Sequence, residues 1–312
     1  MDHHQRIQTE LSEHRSSHVT ANGKPGHRHS GQSLPFIISF ILLALILPVF
    51  TGSASAQSPA SYGRTWQNYP ILPEFSETAR AILRAGIEAG NDPHAFSKVG
   101  DCDTSTAWYL QDYDHDQIYY DLGEYESLRP VLDFFRGSFG RRSLAATPGF
   151  SAASVLSTFW LDYEVCTYNE LPLTCEYRIQ NPIAVLISLG TNDGYNPPVF
   201  KDNLREIIVQ TLMQNRLPIL MLKADNVEGN YSINQDIADL AEEYNLPVWN
   251  FWAAIQHLEN HGLQEDGIHL TFYSNYFSDP HCWNSAWAYR NLTALQVLEK
   301  LQAEIENILN AQ

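Results

Sequence analysis

Positive charge is scarce in this 312-residue chain: 19 lysines and arginines stand against 36 acidic residues, a formal net charge of −17. Such a surface repels phosphate backbones and anionic headgroups alike, which argues against nucleic acid as a partner. Charged residues make up only 18% of the chain against 44% hydrophobic and 12% aromatic, which excludes a disordered, collagenous or coiled-coil protein. No internal repeat is apparent. Metal-ligand spacing is also missing. His115, His257, His261 and His281 follow no ligand pattern, and the six histidines of the polar head, His3 to His29, are irregularly spaced. The alternating carboxylates Asp112, Asp114 and Asp116 suggest a calcium loop, but Gln117 stands where its turn glycine belongs and Gly123 where its bidentate glutamate belongs. A calcium loop of this type is therefore rejected, a looser surface cation site stays an alternative, and no metal site is expected.

Long apolar runs are limited to one. Leu34–Phe50 is about 15 to 17 residues long, short for a bilayer span and right for the apolar region of a signal peptide. Ala54-Ser55-Ala56 then supplies the small residues of a cleavage site. Residues 1–56 are therefore read as a signal peptide and the protein as secreted. The alternative is an uncleaved anchor, favoured by the long polar head, with its positive side in the cytoplasm and the rest outside. Membrane contact is then confined to the apolar segment.

Cysteines are few, and all four lie in the exported part, where an oxidising environment permits disulfides. Cys166 and Cys175 bracket a polar, proline-containing stretch that can fold back on itself, so a local bridge is expected. Cys102 and Cys282 are left over.

Residues 57–72 read as a linker or an arm across the surface, and one domain is expected over 73–312. In it, apolar strand-like runs (Ala95–Val99, Ile183–Leu189, Leu217–Leu222, Pro247–Phe251) alternate with helix-period segments. Ser76–Ala89 reads as one helix, Phe200, Leu204, Ile207 and Leu212 mark another, and Ser232 with Gln235 reads as the capping box of a third. A last, long helix carries Leu295, Leu298, Leu301, Ile305 and Ile308. This alternation predicts a three-layer α/β/α sandwich around a parallel sheet, whose ligands bind beyond the carboxyl ends of the strands.

Four segments sit at such ends or at helix starts: Gly100-Asp-Cys102-Asp, Gly149-Phe-Ser-Ala-Ala153, Gly190-Thr-Asn192-Asp, and Asp266-Gly-Ile-His269. Taken singly they are ordinary turn compositions. In this order, over roughly residues 93–300, the set resembles the SGNH (GDSL-like) hydrolase superfamily, which implies a flavodoxin-like fold and hydrolysis of an ester without a cofactor. Acyl transfer needs a nucleophile, a base, an orienter for the base and donors for the oxyanion. His269 suits the base and Asp266, three residues earlier, the orienter. The resemblance implies an oxyanion hole from the Asn192 amide and the Gly149 and Cys102 backbone N–H groups, glycine at 149 leaving the approach uncrowded.

Cys102 stands where the family has its serine. Three readings stay open: a thiol nucleophile paired with His269, a Cys102–Cys282 bridge that removes the nucleophile, or a shift of that role to Thr104 or Ser105. The expected function is an exported SGNH-like ester hydrolase acting on a small-molecule or glycan ester, an acyl or acetyl group on an extracellular glycan or lipid. The rival is a catalytically silent protein of the same fold that binds a carbohydrate or cell-surface ligand in the old cleft. Loop aromatics (Trp108, Tyr113, Tyr119, Tyr195, Trp283) suit stacking on sugar rings or, equally, packing in the core.

Export predicts that protein recovered from its native host begins at Gln57. N-terminal sequencing decides this, and a chain starting at Met1 and held in the membrane would support the anchor.

Overall fold

The computed structural model describes residues 65–115 and 117–311. The expected signal peptide, 1–56, and the first part of the expected linker, 57–64, lie outside these residues. The described residues all fall in one compact unit.

Four parallel strands in the order β1 (Asp92–Gly100), β2 (Pro182–Ser188), β3 (Leu217–Met221) and β4 (Val248–Trp249) form the sheet. Both alternating sets of side chains along β2 and β3 are buried, as is β1 from Ala95 onward. Such strands need cover on both faces, and the apolar runs of the sequence are that requirement in linear form. The helices supply the cover. In chain order they are α1 (Glu77–Glu88), α2 (Cys102–Ser105), α3 (Arg129–Phe134), α4 (Ala152–Val155), α5 (Pro172–Gln180), α6 (Phe200–Met213), α7 (Ser232–Tyr244), α8 (Phe251–Ile255) and α9 (Ala286–Asn310). α6 and α7 pack together, while α9 packs with α1, α3 and α8. The result is the expected three-layer α/β/α sandwich.

Local signals explain most boundaries. Ser76 caps α1 by accepting from the Ala79 N–H at 3.1 Å. In α9 the stripe Leu295, Leu298, Leu301, Ile305 and Ile308 is buried throughout. The capping box expected at Ser232 is not made. Its N-cap position is Tyr231, in the left-handed region at φ 56°, and the free N–H groups of the first turn find other acceptors. Asn230 Oδ1 accepts from the Ser232 N–H at 3.0 Å and Glu228 Oε1 from the Ile233 N–H at 3.3 Å, while Gln235 turns outward to Asp239. Upstream side chains thus took over the orphan donors that a capping box would have served.

The described part of the linker is an arm fastened to the domain. Trp66 and Tyr69 are buried, and Asn250, fully buried at the end of β4, donates to the Trp66 and Tyr69 carbonyls at 3.2 and 3.0 Å. The Asn250 N–H donates to the Ile71 carbonyl at 3.0 Å as well. The carboxylates suspected of holding calcium are loop ties instead. Asp114 accepts from the Gly137 and Gly140 N–H groups at 2.7 Å each, and Asp112 from Asn275 at 2.8 Å. Asp116 lies outside the described residues.

Cys166 and Cys175 are bridged, with Cα atoms 5.6 Å apart and Cys175 buried in α5. Among the described residues, the group of acidic and cysteine side chains whose ligand atoms cluster tightly enough for a metal is Cys166, Glu170 and Cys175, and its two sulfurs are used up in this bridge. Closing a loop of this length is worth about 2–3 kcal/mol in the chain-entropy account. Unreduced peptide mapping should therefore show the linked fragment, and the double serine variant at Cys166 and Cys175 should melt about 5–10 °C lower. An unchanged melting temperature would show that the bridge constrains nothing.

Candidate active site

Strand register brings three of the four sequence segments together. β1 pairs with β2 so that Gly100 lies opposite Ser188, two residues before Gly190. On its other side Gly100 makes an isolated parallel bridge with Ala146: its N–H donates to the Ala145 carbonyl at 3.1 Å, and its own carbonyl accepts from the Thr147 N–H at 3.3 Å. Cys102, Gly149 and Asn192 therefore leave adjacent strand ends at the same edge of the sheet.

Two of these loops are locked to each other. Asn192 donates its side-chain amide to the Phe150 carbonyl at 2.9 Å, and both Asp193 carboxylate oxygens accept from the Ala152 N–H at 3.0 Å. Asp193 is buried, and burial pushes its carboxyl up to about 6. Asn192 keeps a second amide N–H for another acceptor. Gly149 has φ 84°, the left-handed region that favours glycine, yet a Cβ there would meet nothing within 4 Å. Glycine is needed at 149 for its backbone angle, and the space beside it is open. Gly190 is required on both counts: φ is 127°, and a Cβ would lie 2.5 Å from Ile233 Cγ2.

The fourth segment arrives from the far end of the chain. Asp266 Oδ2 accepts from His269 Nδ1 at 2.6 Å, and Asp266 Oδ1 accepts from the Ile268 and His269 N–H groups at 2.9 and 3.0 Å. These bonds, that to the imidazole first, hold the Asp266 carboxyl down at about 2, and the same carboxylate raises His269 above the ordinary histidine value. The turn is anchored to the start of α9, where the Trp287 N–H donates to the Thr271 carbonyl at 3.1 Å and the Ala286 N–H to Thr271 Oγ1 at 2.9 Å.

Cys102 and His269 face one cleft of about 460 Å³, walled by Trp108 and Trp287 on one part and by Ala146, Thr147 and Pro148 on another. Cys102 opens α2, whose N-cap Asp101 accepts from the Asp103 N–H at 3.2 Å. Among the described residues no hydrogen bond joins its thiol to His269. Burial, reinforced by the Asp101 and Asp103 carboxylates on either side, pushes the thiol up to about 11. Asp101 itself is driven up to about 7 by its own burial and by Asp103.

Cys102 and Cys282 are both free thiols, so the alternative second bridge is not made. Cys282 belongs to the core, where its thiol donates to the Ser274 carbonyl at 3.4 Å. Thr104 is no substitute nucleophile: it is the buried residue of α2 and its Oγ1 accepts from Arg290 at 3.3 Å. Ser105 does line the cleft, and its Oγ donates to the Cys102 carbonyl at 3.3 Å.

Arg290 and Asp103 escaped the sequence reading. Arg290 is buried in α9, 4.6 Å above the Tyr109 ring, and reaches Asp103 at 3.9 Å. The available signal was an arginine within the apolar stretch of the last helix, since a buried cation needs a partner. Of the loop aromatics, Trp108 walls the cleft, Tyr113 is core, Trp283 packs against the core, and Tyr119 and Tyr195 are exposed.

No family model and no curated protein matches the chain. Solved structures do. The chain is similar to an acetylxylan esterase from Geobacillus stearothermophilus at 14% identity and a TM-score of 0.40, covering 65% of this chain and 93% of that one. It is also similar to a GDSL-like lipase from Bacteroides thetaiotaomicron (15%, 0.39, covering 71% and 98%) and a psychrotrophic esterase from a Pseudoalteromonas species (18%, 0.38, covering 70% and 99%).

The lock between the loops has a measurable consequence. Asp193→Ala leaves the buried Ala152 N–H without an acceptor and should cost about 1–3 kcal/mol in chemical denaturation. A variant as stable as wild type would show that the two loops hold their places independently.

Proposed function

We propose that the protein is an ester hydrolase in which Cys102 attacks the carbonyl, His269 takes the thiol proton, and Asp266 fixes the imidazole tautomer and stabilises the imidazolium. The reading rests on the Asp266–His269 pair opening onto the same cleft as Cys102. With Nδ1 committed to Asp266, the imidazole presents Nε2 as its free base. The developing oxyanion is received by the free Asn192 amide N–H and by the Gly149 and Cys102 backbone N–H groups. His269 then protonates the leaving alcohol, and water, deprotonated by the same imidazole, hydrolyses the thioester and restores the thiol. The substrate is an acyl or acetyl ester of a small molecule or an extracellular glycan or lipid. Export and removal of residues 1–56 belong to the same proposal and are supported by the apolar run and by Ala54-Ser55-Ala56.

One observation favours a second reading, a catalytically silent protein that binds a carbohydrate or cell-surface ligand in this cleft: the thiol lies between two carboxylates that oppose its ionisation. Turnover of an activated ester separates the two. A working hydrolase loses nearly all turnover in His269→Ala and about 10²–10³ in rate in Asn192→Ala. Iodoacetamide abolishes the wild-type rate and spares Cys102→Ser. Because Asp266 raises His269, the free base exists only above that raised value, so kcat/KM should climb with pH through a midpoint above the usual histidine value of about 6.5. Residual activity of Asp266→Asn should show this limb moved downward. No turnover in wild type or in Cys102→Ser, with a saturable glycan or surface ligand, would establish the silent reading. Activity surviving Cys102→Ala would shift the nucleophile to Ser105.

A further inference from the structure

Arginine is a committed residue almost everywhere in this acidic protein. On the surface Arg80 pairs with Glu304, Arg84 with Glu77, Arg129 with Glu126, Arg136 with Asp133, Arg178 with Glu170 and Arg205 with Glu243. In the interior Arg141 pairs with Glu176, Arg216 donates to Asn91 and to backbone carbonyls, and Arg290 faces Asp103. Arg142 is the exception. Among the described residues its guanidinium has no carboxylate, carbonyl or hydroxyl partner, although it is exposed in a chain of net charge −17. It lines the cleft that holds Cys102 and His269.

Its surroundings are suited to an anion. The remaining walls are largely apolar, with Trp108, Trp287, Ala146 and Pro148 at the surface of the cleft. A charge pair next to such walls is less screened than one in open water. Asp103, the carboxylate in the same lining, already faces Arg290 on its buried side. A planar guanidinium with five donors and nothing to bind is matched by a carboxylate or another flat oxyanion.

We infer that Arg142 is a specificity-determining residue that selects esters carrying an anionic group, a carboxylate on either the acyl or the alcohol part. The inference rests on the hydrolase reading for its substrate, but the guanidinium recognises the anion whether or not the ester is cleaved. An acetylated or acylated acidic sugar is the glycan class that fits, with Arg142 the guanidinium of the cleft lining left free to meet its carboxylate.

The test compares two matched pairs of probes: 4-nitrophenyl acetate against the mono-4-nitrophenyl ester of succinate, and acetylated galactose against acetylated galacturonic acid. Wild type should prefer the anionic member of at least one pair in kcat/KM by about tenfold or more, a preference that falls with added salt. Arg142→Gln should erase the preference and Arg142→Lys should restore part of it, while Arg84→Gln, which removes the same charge from α1, should leave the ratio as in wild type. Equal ratios in wild type and Arg142→Gln for both pairs would overturn the inference with the hydrolase reading intact. If no ester is turned over, that reading fails, and calorimetric titration of the same probes decides: tighter binding of an anionic member that Arg142→Gln abolishes supports the inference, and equal binding overturns it.

Discussion

Gly100 is held on both sides, and the placement of the Cys102, Gly149 and Asn192 segments follows from that. Its pairing with Ser188 fixes where β2 ends, and its bridge to Ala146 fixes where the Gly149 loop begins. A one-residue slip of this register would exchange the side chains that pack against the two helical layers, so the loops inherit the precision of the core. Gly100 itself has no room for a side chain, since a Cβ would lie 2.2 Å from Thr104 Oγ1 and 2.6 Å from the Ser188 carbonyl. That closeness seats α2, and with it Cys102, directly on the strand end.

Onto this frame the chain adds polar ties in place of more core. Asp193 and Asn192 fasten the Gly149 loop, Asp225 accepts from Thr191 at 2.7 Å, and Lys223, fully enclosed, reaches Asp225 and Glu228 at 2.6 and 2.8 Å. All of these but the Asn192 amide place a carboxylate near the strand ends, and taking Lys223 away would leave buried carboxylates uncompensated. The site is thus rigid and acidic for the same reason. The imidazole benefits, because Asp266 and the more distant Asp103 and Asp101 all favour its protonated form. The thiol does not.

The order of elements was legible because buried parallel strands leave continuous apolar runs, and β1 to β4 fall on the four runs within a few residues. The site segments were legible as glycine- and carboxylate-containing turns at the ends of those runs. What escaped has identifiable causes. The start of α7 depends on Asn230 and Glu228 folding back from the preceding loop, which no local capping pattern encodes. The arm at 65–72 looks like a linker by composition but is fastened by the burial of Trp66 and Tyr69 and by Asn250, about 180 residues away. Arg290, Asp103 and Arg142 are single charged residues whose significance lies in what stands opposite them, or does not, and tertiary contact is invisible to a periodicity.

The electrostatics constrain how a cysteine can work here. Enzymes that keep a stable thiolate–imidazolium pair surround the sulfur with positive charge, which lowers its pKa before substrate arrives. Cys102 has the opposite setting: burial and two neighbouring carboxylates hold its proton on, while His269 is biased towards the protonated form that cannot accept it. A resting ion pair is therefore disfavoured at both ends. In the proposed hydrolase the proton would instead move from sulfur to Nε2 as the carbon–sulfur bond forms, when charge is already passing to the oxyanion donors, which is how a hydroxyl nucleophile operates. An environment that penalises the anion before attack suits an alcohol at least as well as a thiol. The surroundings of Cys102 thus hold its proton in place until an acceptor and an electrophile arrive together.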